Sequence, residues 1–206
     1  MARPEPTLDV ECEFFASGAR IVAGVDEVGR GAIAGPVTIG IVAIDARVGE
    51  IPNGLRDSKL MTPKRREAMV PLAKEWGLAW ATGSATAKEI DKIGIMSALG
   101  LAASRALQKL GVTPDVLILD GNASFLVEEP NGPRVVTRVK ADQDCASVSA
   151  ASVIAKVERD ALMTELHQQF PYFGWAGNKG YGAKVHTDAI KSHGLTDFHR
   201  RSWNLL

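Results

Sequence analysis

Two cysteines in 206 residues, Cys12 and Cys145, build no disulfide framework and match no paired spacing of a zinc or redox site. A reducing, cytoplasmic compartment is the expectation. Charge of one sign is missing too: Lys plus Arg and Asp plus Glu number 24 each, so only a local cluster of bases can attract a polyanion. No apolar run approaches the roughly 20 residues of a membrane span, and the opening MARPEPTLDVECEFFASGAR lacks a signal peptide's apolar stretch. Internal repeats and low-complexity linkers are absent. With 46% hydrophobic and 23% charged residues, the composition is that of a globular protein with one main core.

What is present reads as alternating elements. Residues up to about Leu8 look like a loose arm, and ECEFFASG a short helix. The β-branched runs RIVAGVDE and PVTIGIVAI, with LAWATGSA as a third strand, suit an antiparallel meander. In the connection that follows the second strand, Thr62 as N-cap, Pro63 at the first position and Gly77 as terminator outline a helix that Pro71 should kink or split. Thr86 to Glu89 fits a capping box, and GIMSALGLAASRALQKLG is a helix with small residues for close packing. PDVLILDG reads as a strand covered on both faces and RVVTRVKAD as another. From Ser147 to about Phe170 the pattern is helical, with Ala150, Ile154, Val157 and Ala161 along one face. AKVHTDAIKSHG, closing at Gly194, and TDFHRRSW read as two more short helices. The sum is an α/β layer with a mixed sheet.

The stretch GVDEVGRGAIAGP, Gly24 to Pro36, admits two chemistries. Gly29, Gly31 and Gly35 follow a strand with the spacing of a dinucleotide loop, and Asp45 would serve as the ribose-binding acid. That fingerprint needs a helix of several turns after the first glycine, to face the pyrophosphate and cross over to a parallel strand. Pro36 and the run VTIGIVAI leave no room for it, and Asp26 and Glu27 would repel phosphates unless a cation lay between.

A cation changes the reading. Mg²⁺ and Mn²⁺ take oxygen ligands, and enzymes that cut phosphodiesters commonly use two of them. The candidate acids are Asp26 and Glu27 at the end of the first strand, Asp120 ending VLILD, and Asp142 ending RVVTRVKAD, with Asp144 as a competitor. Acids at strand ends are also ordinary turn residues. Neighbours on a regular strand point to opposite faces, so Asp26 and Glu27 would share a metal only where the strand distorts or stops, a local departure that Gly29 and Gly31 make plausible.

Ser149, Ser152, Lys156 and Arg159 fall on one helical face after Asp142, either a solvated face or a phosphate holder. Lys59, the Lys64-Arg65-Arg66 cluster, Lys179, Lys184, Arg200 and Arg201 are candidate contacts to a nucleic-acid backbone, supplying salt-dependent affinity. His186, His193 and His199 read as structural, since a hard-cation site needs no imidazole. Tyr181, between two glycines, is either a loop plug or a contact residue.

Five segments in this order, GVDEVGRGAIAGPV, RDSKLMTPKRR, VLILDGN, VKADQDCASVSAASVIAKVERD and NKGYGAKVH, resemble the bacterial ribonuclease HII family, the type 2 ribonucleases H, from about Ile21 to His199. The resemblance implies a ribonuclease H-like fold: a mixed five-stranded sheet flanked by helices, in a single domain over 1–206, with its core at about 18–170 and a helical extension at about 171–206. It implies an endonuclease that cuts the RNA strand of RNA–DNA hybrids and nicks DNA 5′ to embedded ribonucleotides by two-metal-ion hydrolysis, leaving 3′-hydroxyl and 5′-phosphate ends. Its place would be ribonucleotide and primer removal, and its state monomeric.

Carried over position by position, the acids would be Asp26, Glu27, Asp120 and, by the KAD match, Asp142, holding Mg²⁺ or Mn²⁺. Gly29, Arg30 and Gly31 would touch the ribose 2′-hydroxyl, the group that marks RNA. Tyr181 would pack on the following deoxyribose, and Lys59 would meet the backbone. Two other classes remain open: a non-catalytic nucleic-acid module of the same fold, and a nucleotide-cofactor protein.

Overall fold

The computed structural model describes residues 5–122, 124–126, 130 and 132–205. After helix α1 (Asp9–Ala16), strands β1 (Ile21–Val28), β2 (Val37–Asp45) and β3 (Ala79–Ala85) form the expected antiparallel meander, with Ile21 opposite Asp45 and Val37 opposite Ala85. On the other side of β1, strand β4 (Val116–Asp120) runs parallel to it and β5 (Arg134–Arg138) parallel to β4. The sheet is therefore mixed and five-stranded, ordered β3-β2-β1-β4-β5.

Helices cover both faces, which is why β1 and β2 read as nearly unbroken apolar runs. On one face, Ala98, Leu99, Ala102 and Ala106 of α4 (Ile95–Lys109) pack on Ala23, Val25, Ile39, Ile41, Leu117 and Leu119. On the other, Ala150, Ala151, Val153 and Ile154 of α6 (Ala146–Gln169) meet Val42 and Ile44, and α2 (Pro63–Trp76) adds Met69 and Ala73. The strands hold glycines where a helix backbone lies directly on them. A Cβ on Gly24 would stand 2.2 Å from Val148 N, and one on Gly40 2.4 Å from the Ala151 carbonyl oxygen.

Thr62 caps α2 and Gly77 ends it as expected, but Pro71 does not split the helix. It lies on the exposed face, as does Glu67, whose carbonyl loses its helical partner and can be hydrated instead. Thr86 and Glu89 form the capping box of α3 (Ala87–Ile93). Short helices α5 (Ala141–Asp144) and α7 (Trp175–Asn178) and the last helix, α8 (Lys184–His193), complete the chain's elements. Among the described residues, no helix is long and apolar enough to cross a membrane.

Three expectations need correction. The stripe on α6 fails towards its end: Ala161 is exposed, while Arg159, Met163 and Leu166 are buried, because the C-terminal half leaves the sheet and packs on Ala34, Phe173 and Trp175. TDFHRRSW is not a helix; its backbone is used to pair with the glycine loop, His199 bridging to Ala34. The arm is not loose over Thr7, which bridges to Cys145.

Candidate active site

The pairing of β1 with parallel β4 stops at Val25 opposite Leu119, whereas its antiparallel pairing with β2 continues to Val28. Asp26 and Glu27 thus stand just beyond the end of the β1–β4 ladder, beside Asp120, the last residue of β4. The strand is regular through both acids, so of the two expected departures it is the end of the β1–β4 pairing, and not a distortion, that lies at them. By alternation, Asp26 and Asp120 share the face covered by α6, and Glu27 takes the other face, towards Arg30, whose Nη1 is 3.8 Å from its Oε1.

Asp142 reaches the same place by another route. It is not at a strand end: the chain leaves β5, turns through Lys140 in the left-handed region at φ 64°, and enters α5, which tucks Asp142 inward at 4% exposure. Asp144, the competitor, turns away to pair with Arg138 at 3.2 Å.

Lys59 comes from a one-turn helix, Ser58–Leu60, whose cap Asp57 accepts from Lys59 N at 3.0 Å. Its ammonium lies 3.0 Å from Asp142 Oδ2. Burial works against that charge, but Asp26 and Asp142 hold it on, above its ordinary value.

The acids feel one another. Burial first, then the charge of Glu27, pushes the Asp26 carboxyl up to about 8. Burial also raises Glu27 and Asp120, the latter with help from Asp142. Asp26 Oδ2 and Asp120 Oδ1 are buried without a hydrogen-bond partner. Among the described residues, no group of three or more His, Cys, Asp or Glu side chains is gathered closely enough to hold a metal ion. Oxygen-only donors with unpartnered buried atoms and mutually raised carboxyls nevertheless suit a hard divalent cation.

Ser149 and Ser152 are not on a solvated face. Both are buried, the first donating to the Asp142 carbonyl at 2.7 Å and the second to Ser58 Oγ at 2.8 Å. Lys156 pairs with Asp160 at 2.8 Å and, with Arg66 and Lys179, lines a groove of about 810 Å³ between α2, α6 and α7.

The glycine loop is held from behind by two arginines, Arg200, expected as a contact to the nucleic-acid backbone, and Arg159, expected on a solvated or phosphate-holding face. Arg159 is buried and donates to the carbonyls of Pro36 at 2.8 Å, Lys179 at 2.9 Å and Ala34 at 3.2 Å. Arg200, also buried, donates to Arg30 at 2.7 Å and to Gly29 and Gly35 at 2.6 and 3.2 Å. Gly29 has φ 85°, and a Cβ there would lie 2.0 Å from Arg159 Nε. Gly31 is exposed, a Cβ there would meet nothing within 4 Å, and the Arg30 side chain is half exposed.

Tyr181, 39% exposed, lies beside this loop: the Gly180 carbonyl accepts from Ile33 N at 2.9 Å and Ala34 N at 3.0 Å. The Tyr181 carbonyl accepts from His186 Nδ1 at 2.8 Å. That fixes the tautomers, because His186 Nε2 must then accept, from Trp175 Nε1 at 3.0 Å and His199 Nε2 at 3.1 Å. The structural reading of His186 and His199 stands, since both are buried. No spacing in the chain marks them as the support of Tyr181.

The family model described as Ribonuclease HII matches residues 23–206. The chain belongs to the ribonuclease HII family. The ribonuclease HII of Streptomyces avermitilis is 47% identical over 203 residues, covering 98% of this chain and 84% of that one. The ribonuclease H2 of Pyrococcus horikoshii OT3 superposes with a TM-score of 0.72 at 31% identity, covering 90% of this chain and 94% of that chain. Bst-RNase HIII, solved in complex with Mn²⁺, has a TM-score of 0.72 at 21% identity, covering 91% and 68%, a likeness of fold. As a ribonuclease HII, this protein is a metal-dependent endoribonuclease acting on RNA–DNA hybrids.

Proposed function

We propose that Asp26, Glu27, Asp120 and Asp142 are the acids of this endonuclease, that they hold its divalent cations, Mg²⁺ or Mn²⁺, and that it nicks duplex DNA on the 5′ side of embedded ribonucleotides as well as cutting hybrids. The observation that carries the reading is the meeting of acids from β1, β4 and α5, with unpartnered oxygens on Asp26 and Asp120, beyond the end of one ladder. Divalent ions held by such oxygens lower the pKa of water and stabilise a leaving oxygen.

The protein groups do the rest. Asp26, Asp120 and Asp142 bring their carboxyls together on the α6 face, and Lys59 pairs with Asp142 at 3.0 Å while lying two-thirds exposed for a backbone phosphate. The backbone of Gly29-Arg30-Gly31 and the ring of Tyr181 lie on joined segments, suited to reading a ribose hydroxyl and the sugar that follows it. Ends of 3′-hydroxyl and 5′-phosphate type, and a role in ribonucleotide and primer removal, follow from this reading.

The test is cleavage of a DNA duplex carrying one ribonucleotide, with and without each metal, by the wild type and by Asp120→Asn. The variant should lose cleavage while largely keeping duplex affinity. Full turnover by it would remove Asp120 from the mechanism.

A further inference from the structure

Helix α6 starts at Ala146 without a side-chain cap of its own. A helix leaves its first four amides without partners, and a buried start must find acceptors elsewhere. Here the N-terminal arm supplies them. The Thr7 carbonyl accepts from Ala146 N at 2.9 Å, and Glu11 Oε1 from Ser147 N at 2.9 Å and Ser147 Oγ at 2.7 Å. Thr7 also reaches back, its N–H donating to the Asp144 carbonyl at 2.9 Å.

The turn so gripped carries Asp142. Ser149 Oγ, one turn into α6, donates to the Asp142 carbonyl, and Lys140 before it sits in a backbone region costly for a side chain. There is no slack on the sheet side, where Gly24 lets Ser147 and Val148 lie directly on β1, two residues before Asp26. Glu11 is fully buried with Oε2 unpartnered, a costly choice where an apolar residue would bury more cheaply. Its place at a helix N-terminus suits a hydrogen-bond acceptor, although burial pushes its carboxyl above the ordinary value. Thr7 and Glu11 lie outside residues 23–206, which the family model matches.

We propose that Glu11 is a positioning residue for Asp142: through the first turn of α6 the N-terminal arm fixes the α5–α6 junction against β1, and so the spacing of Asp142 from Asp26 and Asp120. This rests on Asp142 belonging to the acid set.

The experiment compares full-length wild type with Glu11→Ala, Glu11→Gln, Glu11→Asp and Asp142→Asn. The readouts are kcat and KM on a duplex with one ribonucleotide, Mn²⁺ affinity by calorimetry, melting temperature, and hydrogen exchange of the amides at 140–149. Glu11→Ala should speed exchange at 140–149, weaken Mn²⁺ binding and lower kcat on the order of tenfold, with KM within about twofold. Glu11→Gln keeps the acceptor and should restore kcat. Glu11→Asp draws the carboxylate back from Ser147 while preserving charge, and should show a smaller loss of the same kind, so the test does not depend on the alanine variant folding. Unchanged exchange and kcat in Glu11→Ala and Glu11→Asp overturn the proposal, as does a kcat loss equal in Ala and Gln or matched by loss of folded protein. Full activity in Asp142→Asn instead overturns the acid assignment on which it rests.

Discussion

Arg200 looks like one more base near the C-terminus, yet its guanidinium is spent on three carbonyls of the glycine loop. Lysine at that position has no fork to match them, and each buried acceptor left unmade costs about 1–3 kcal/mol. Arg200→Lys should therefore lower the unfolding free energy by that order, read from urea denaturation, and raise KM for duplex, both checked on one preparation. Tyr181→Ala should lose activity selectively at single embedded ribonucleotides; equal rates to wild type there and on a long hybrid would sink the junction-reading role. That Asp26, Glu27 and Asp120 meet was legible from their places at or near the ends of β1 and β4, and the KAD match of the resemblance pointed to Asp142, which is buried, over Asp144, which pairs outward with Arg138. Arg159 and Arg200 were not legible as struts, because carbonyl partners have no sequence identity.

Elements were read well where the pattern is local: the meander, the caps of α2 and α3, and the termination of α8 at Gly194 all follow from short stretches. What failed depended on partners far along the chain. TDFHRRSW has helical composition, but Phe198 and Arg200 pair their backbones with Gly35 and Ile33. The route of Asp142 through a left-handed lysine is likewise invisible in RVVTRVKAD. Gly24 and Gly40, which strand periodicity leaves unexplained, are where α6 rests. Gly40→Ala should cost about 1–3 kcal/mol by overpacking, read from denaturant unfolding, and should reduce kcat by lifting α6 and the junction it begins.

Across the whole molecule, the C-terminal region is knit together by neutral imidazoles, His186 joining Tyr181, Trp175 and His199, and His199 joining Thr196. Burial, then the charge of His186, holds His199 down to about 4, and burial also lowers His186. The unfolded chain takes up these protons near the ordinary 6.5, so their contribution to stability is complete above that pH and is lost as pH falls towards 4. The melting temperature should decline between pH 6.5 and 4, less steeply in His199→Gln; an unchanged slope would remove the network as its source. The buried arginines act at this scale as well. Among the described residues neither forms a salt bridge, though Asp160 acts on Arg159 and Asp91 on Arg200 from further off, so two guanidinium groups lie buried behind the glycine loop with carbonyls as their hydrogen-bond partners. A chain whose formal charge sums to zero therefore keeps two buried guanidinium charges beneath one chosen patch. Salt screens buried charge poorly, so that pull on a polyanion outlasts the contribution of surface lysines as ionic strength rises.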